Sequence, residues 1–169
     1  MTYEEERNVM GEVLEISVLS PEKETLGKVI NFIYEYSGCS KDSIEIKVMD
    51  NWQYEGEIKL SDESQLYDLI DTKIIRIQGP CYLGFAGVTS ERIGDNYQFD
   101  VWMNPNPADE FDNAEYVSFK KAARKLLESV RVLVAFIGKE MLIDYTKGID
   151  HAVKSAIGAD IVIIPGKNS

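Results

Sequence analysis

The feature that most constrains the fold is a strict alternation of side chains over residues 97–103. One phase of this stretch is apolar and the other is largely polar. The apolar phase is Tyr97, Phe99, Val101 and Met103, and the other is Gln98, Asp100 and Trp102. A period of two predicts a strand with one face on the core. A second apolar stretch, 81–88, and the turn-forming residues 94–96 predict its hairpin partner.

Strands and helices are predicted on both sides of this hairpin. The other predicted strands cover residues 12–19, 43–49, 51–60, 74–78, 131–137, 141–145 and 161–164. Helices are predicted from Ser20, as N-cap, to Gly38, as stop, and over 61–70 (capped by Ser61), 114–130 and 147–157. We expect Gly79-Pro80 to end one strand and Gly138-Lys139 to form a turn between two others.

The order of these elements lacks a steady β-α-β alternation, which favours the α+β class. We predict a mostly antiparallel sheet with three to four helices packed on one side, in a single pair of layers. At 169 residues the chain is long enough for one core. A single domain over 1–169 is therefore expected, with the loop 104–113 as a weak candidate boundary.

The N-terminus and the hydropathy pattern favour a cytoplasmic location. The chain begins with the acidic run Glu4-Glu5-Glu6, whereas a secretory signal begins with positive charge. The longest apolar stretch, 132–137, is far too short to cross a membrane. Cys39 and Cys81 are expected as reduced thiols. Two cysteines and one histidine are too few for a zinc site, and neither a metal nor a cofactor is predicted.

The charge is strongly negative and unevenly distributed. The chain has 29 acidic and 18 basic residues, a net charge of -11. Residues 1–113 contain 23 acids and 9 bases, whereas residues 114–169 contain 6 acids and 9 bases. Such a surface repels nucleic acid and favours basic protein partners. Negative charge also serves solubility without any partner, so charge alone leaves both interpretations open.

One basic cluster departs from this pattern. Lys120, Lys121, Arg124 and Lys125 share a face of the predicted helix 114–130. This face either binds an anion or an acidic protein, or is the solvated side of an amphipathic helix. Glu128 is spaced to pair with Arg124.

Signatures of catalysis are weak. A nucleophile with a histidine base has to use His151, and Cys81 is a candidate partner. No G-x-S-x-G elbow and no phosphate-binding glycine loop occurs. The acidic loop Asp109-Glu110-Phe111-Asp112 lacks the spacing of a calcium loop.

The overall profile is similar to that of bacterial immunity proteins, which are small, acidic and without a catalytic signature. This resemblance implies a non-enzymatic, acidic protein-binding module that covers a basic toxin or nuclease domain. The predicted partner-binding residues are Trp102, Asp100, Asp109, Glu110, Asp112, Trp52 and Glu55. The alternatives are a small hydrolase or transferase that uses carboxylates or Cys81 with His151, and a structural subunit of a larger complex. No nucleic acid or membrane partner is expected, and the sequence does not predict the oligomeric state.

Overall fold

A computed structural model describes residues 13–58, 63–82, 84–105 and 113–166. Within these ranges the chain forms eight strands and four α-helices, with a short 3-10 helix at Lys41–Ser43. The strands are β1 (Leu14–Ser20), β2 (Glu45–Asp50), β3 (Gln53–Ile58), β4 (Ile74–Cys81), β5 (Gly84–Ile93), β6 (Asn96–Pro105), β7 (Val134–Leu142) and β8 (Ile157–Ile163). The helices are α1 (Thr25–Glu35), α2 (Glu63–Leu69), α3 (Asn113–Glu128) and α4 (Ile149–Ser155).

All eight strands belong to one sheet in the order β3-β2-β4-β5-β6-β1-β7-β8, and every pair is antiparallel. β1 lies inside the sheet, where Leu14 pairs with Met103 of β6 and with Lys139 of β7. Consecutive strands pair mostly with each other, as expected where short connections join them. The predicted α+β class with an antiparallel sheet is confirmed.

The two faces of the sheet are covered differently. On one face, here called the helix face, Leu14, Ile16 and Val18 of β1 belong to a large apolar cluster with residues of α1, α2 and α3. On the opposite face, Leu19, Val134 and Phe136 form a second cluster with Met141, Tyr145 and Ala152 of the β7–α4 region. α4 therefore covers the β1–β7 end of the opposite face.

The first helix begins later than predicted. The apolar residues Leu26, Val29, Ile30 and Ile33 are spaced i, i+3, i+4 and i+7, which predicts a buried stripe, and all four are buried. Ser20, however, is still part of β1, where it pairs with Tyr97. Its hydroxyl accepts a hydrogen bond from the Glu22 N–H at 3.2 Å and bonds the Thr25 hydroxyl at 3.0 Å. Ser20 thus closes the turn before α1 and is not its N-cap.

The predicted break at Gly79-Pro80 is wrong, because β4 continues to Cys81. On one side Pro80 pairs with Phe85 of β5. On the other side, the pairing between β4 and β2 ends at Gln78 with Glu45. The missing N–H of proline is tolerated because Pro80 lies where that side of the strand is an edge.

The predicted turn at Gly138-Lys139 is also wrong, because β7 runs through it to Leu142. Gly138 pairs with Glu15 of β1 on one side and with Ala159 of β8 on the other. A Cβ at Gly138 would overlap the Gly158 carbonyl and lie 2.9 Å from the Ala159 Cα. The absence of a side chain at Gly138 thus allows β7 and β8 to approach each other closely. β8 is half-exposed and forms the sheet edge, whereas the apolar run 161–164 predicts a buried strand.

We expect Gly138→Ala to lower the free energy of unfolding by about 2–4 kcal/mol, because backbone atoms of β8 have to move. Urea unfolding followed by circular dichroism measures this loss. The matched control is Gly56→Ala in β3, where a Cβ meets nothing within 4 Å. That variant should be unchanged or slightly more stable. Equal effects of the two substitutions would contradict the close approach of β7 and β8.

Candidate functional site

The α4 cluster covers only the β1–β7 end of the sheet face that lies opposite the helix face. We call the rest of that face, from β3 to β1, the open face. Strand register places there Glu15 and Ser17 of β1, alternate residues of the hairpin strands β5 and β6, and Lys47 and Arg76 of β2 and β4. Its other members include Glu45, Glu57, Gln78, Phe85, Gly87, Thr89, Glu91, Gln98, Asp100 and Trp102.

An aromatic pair lies on this face. Trp102 pairs with Gly87 across the β5–β6 ladder, and a Cβ on Gly87 would overlap the indole. The Phe85 and Trp102 rings stack with centroids 6.0 Å apart. Phe85 is 37% exposed, and Trp102 is half-buried. The glycine therefore lets the indole lie against the sheet and leaves an apolar surface beside Phe85.

Asp100 is held in a hydrogen-bonded chain on the same face. The Ser17 hydroxyl donates to Asp100 Oδ1 at 2.6 Å and lies 2.6 Å from the Tyr145 hydroxyl. Because Ser17 donates to the carboxylate, Tyr145 is the donor to Ser17. Gln98 Nε2 donates to Asp100 Oδ2 at 2.7 Å. Both carboxylate oxygens are thus satisfied, and the chain links β1, β6 and the segment before α4.

Three carboxylates of the open face lie on a diagonal across β1, β6 and β5. Burial raises the pKa of Glu15 to about 7, with a further contribution from Asp100 and an opposing hydrogen bond from the Met141 backbone. Burial also raises the pKa of Asp100 to about 6, against the hydrogen bonds from Ser17 and Gln98. Burial raises the pKa of Glu91 as well. All three carboxylates therefore lose solvation in the folded chain.

Nearby cations do not compensate for this lost solvation. In the described ranges, none of these three carboxylates forms an ion pair within 4.0 Å. Lys47 lies 3.8 Å from Glu45 instead, and the Arg76 Nε is buried without a hydrogen-bond partner. The open face as a whole has five carboxylates and two cations, and two of these carboxylates, Glu15 and Asp100, lie next to Trp102.

The structure brings together only some of the residues predicted from the sequence. Asp100 and Trp102 are neighbours on the open face. Trp52 lies in the two-residue turn between β2 and β3 and is 53% exposed. Glu55 lies on the edge strand β3, where its carboxylate bonds Lys73 at 3.0 Å. β3 is four strand spacings from β6, about 19 Å. Asp109, Glu110 and Asp112 lie outside the described residues.

Sequence reasoning missed Glu15, Glu91 and Phe85 as members of the site. In the sequence, Glu15 and Ser17 alternate with apolar Leu14, Ile16 and Val18, and this alternation was the available signal for Glu15. Their convergence depends on the registers of β1 and β5 against β6, which pattern analysis of a single sequence does not provide.

The structure does not bring Cys81 and His151 together. The Cys81 thiol hydrogen-bonds that of Cys39, and this contact followed by burial raises the pKa of Cys39. Both cysteines pack with the cluster of the helix face. His151 lies on α4, on the other side of the sheet, with Nε2 3.5 Å from Asp144. The geometry therefore provides no Cys–His nucleophile pair.

Neither a family model nor a curated protein matches the sequence. A solved chain that matches comes from the crystal structure of the toxic C-terminal tip of CdiA from Pseudomonas aeruginosa in complex with immune protein. It is 11% identical, has a TM-score of 0.49, and the match covers 76% of this chain and 86% of that chain. A similarity of this size supports no argument about function.

Neither a metal-binding cluster nor a membrane-spanning helix occurs among the described residues. They contain no cluster of three or more His, Cys, Asp or Glu side chains arranged to hold a metal ion. In the same part of the chain, every helix is too short or too polar to span a bilayer.

Glu15→Gln should raise the free energy of unfolding by about 1–3 kcal/mol at pH 8 and leave it unchanged near pH 4. The pKa of Glu15 is raised on folding, so the native chain binds this proton more tightly than the unfolded chain. Wild-type stability therefore falls as pH rises from about 4.5 to about 7. The variant lacks this contribution because glutamine does not ionise.

Urea unfolding between pH 4 and 8 measures the effect, with exposed Glu57→Gln as the matched control. The burial of Glu15 would be contradicted if both variants keep the pH dependence of the wild type.

Proposed function

We propose that this protein is a non-enzymatic, acidic protein-binding module whose open face binds a basic protein. The observation that carries the proposal is the stacked pair Phe85–Trp102 beside desolvated carboxylates that lack cationic partners. Aromatic anchors dominate the binding energy of many interfaces, and surrounding charges set the choice of partner. The open face combines both features.

The carboxylates give the face a preference for cations. Glu15 and Asp100 already bear part of the desolvation cost of an interface in the free protein. A partner Lys or Arg placed beside them supplies the missing charge and lowers both pKa values. Binding therefore releases protons, and affinity rises with pH from about 5 to 8, through the range in which these groups ionise.

At finer detail, we propose an immunity-type role in which the partner is a basic toxin or nuclease domain. Nucleic-acid-processing domains carry basic surfaces that hold phosphates, and an acidic face competes for such surfaces. The enzyme alternative lacks support at its cysteine centre, because Cys81 contacts Cys39 and is apart from His151. Among the carboxylates of the open face, Asp100 has both oxygens occupied by internal hydrogen bonds.

Isothermal titration calorimetry against purified basic toxin and nuclease domains, inactivated at their catalytic residues, tests this proposal. The cognate domain should bind with nanomolar affinity at low salt, and more weakly as salt screens the charges. Phe85→Ala and Trp102→Ala should each weaken binding about 10- to 100-fold, since anchor residues carry most of the energy.

Tyr82→Ala is the matched control, because Tyr82 is 90% exposed and lies in the turn between β4 and β5, near Gly38. That variant should bind as the wild type does. Circular dichroism confirms that each variant is folded. The proposal is rejected by absent binding, by salt-insensitive binding, or by an equal loss in all three variants.

A further inference from the structure

A groove with the opposite charge lies between α1 and α3, beyond the helix face of the sheet. It has a cavity volume of about 480 Å³. Its lining consists of Lys28, Asn31, Phe32, Glu35, Tyr36, Ala122, Lys125, Leu126 and Ser129. An adjoining depression shares Tyr36, Ala122 and Lys125 and adds Lys121 and Arg124. Three of the four members of the basic cluster noted in the sequence, Lys121, Arg124 and Lys125, thus border these two hollows, which we treat together as one groove.

The cations of this groove are not used by the fold. In the described part of the chain, no ion pair within 4.0 Å involves Lys28, Lys121, Arg124 or Lys125. The predicted pair between Arg124 and Glu128 is not formed. All four cations are exposed, and two carboxylates, Glu35 and Glu128, also line the groove. The groove is therefore net positive in a protein whose net charge is -11.

The floor of the groove is apolar and contains packed aromatic rings. Phe32 and Tyr36 stack with ring centroids 5.1 Å apart, and Phe119 of α3 meets the Phe32 ring edge-on at 6.2 Å. The Tyr36 hydroxyl donates to Ser118 Oγ at 3.2 Å, which ties the end of α1 to α3. Ala122, a small side chain of α3, leaves the space between the helices open.

We infer that this groove binds an acidic amphipathic helix of a partner protein. A helix in a groove places apolar side chains at i, i+3, i+4 and i+7 on the floor. Its flanking carboxylates then meet Lys28 and Lys121, Arg124 and Lys125 from the two walls. Charge complementarity selects the partner here as it does on the open face, but with the opposite sign.

Nucleic acid is a poorer occupant of the same groove. A net charge of -11 repels a long polyphosphate, whereas a short acidic helix carries far less charge. Glu35 and Glu128 on the walls also oppose a continuous row of phosphates. The sheet separates this groove from the open face, so a helix in the groove leaves the open face free for its own partner.

Fluorescence anisotropy with a labelled model peptide tests the inference. The probe is a peptide of about 18 residues with Leu at i, i+3, i+4 and i+7, about four Glu flanking the leucines, and uncharged Ala and Gln elsewhere. It should bind with micromolar affinity, and about tenfold more weakly to Lys121→Glu/Lys125→Glu. Ala122→Trp, which fills the floor, should weaken binding to a similar degree. Lys147→Glu/Lys154→Glu, with exposed lysines near and on α4, is the matched charge control and should bind normally.

Two further probes serve as controls. One is a peptide of the same composition with its leucines dispersed around the helix, and the other is a labelled single-stranded RNA. The inference is overturned if the probe does not bind, if the dispersed peptide binds equally, or if the RNA binds more tightly than the probe. It is also overturned if Lys121→Glu/Lys125→Glu binds like the wild type. Trp102→Ala should bind the probe normally, so the result is independent of the open face.

Discussion

The position of β1 between β6 and β7 is the constraint on which the rest of the structure depends. Its alternation sends Leu14, Ile16 and Val18 to the helix face, and Glu15 and Ser17 to the other. A shift of one residue in its register would reverse both sets. Three large apolar side chains would then leave the core, and a carboxylate would enter it. The burial of one set of side chains thus determines where the polar set is displayed.

The two polar residues of β1 have different roles: Ser17 stabilises the fold, and Glu15 belongs to the proposed binding surface. Ser17 links Asp100 to Tyr145 and so fixes the segment before α4 to the sheet. Glu15 and Asp100 remain without cationic partners beside the Phe85–Trp102 pair, and this uncompensated charge is the basis for proposing a basic partner. On the other side of the sheet, α1 and α3 display unpaired lysines. One sheet therefore separates two surfaces of opposite charge.

Local patterns predicted most elements, and pairing between distant strands decided the rest. The alternation around Phe99 and the stripe with Leu26 were sufficient to predict β6 and α1, because each pattern depends only on its own segment. Gly79-Pro80 and Gly138-Lys139 did not break their strands, because an edge tolerates Pro80 and a close neighbour requires Gly138.

The same limit applies to the candidate site. Asp100 and Trp102 were predicted together because they share one strand phase. Glu15 and Glu91 were missed, and Trp52 and Glu55 were grouped with a distant strand, because only the sheet order relates them.

The chain contains two tryptophans, so fluorine NMR of protein labelled with fluorotryptophan tests the central claim directly. When a basic partner binds, the account predicts that the Trp102 resonance shifts and the Trp52 resonance does not. A shift of Trp52 alone, or binding that leaves Trp102 unchanged, would contradict it.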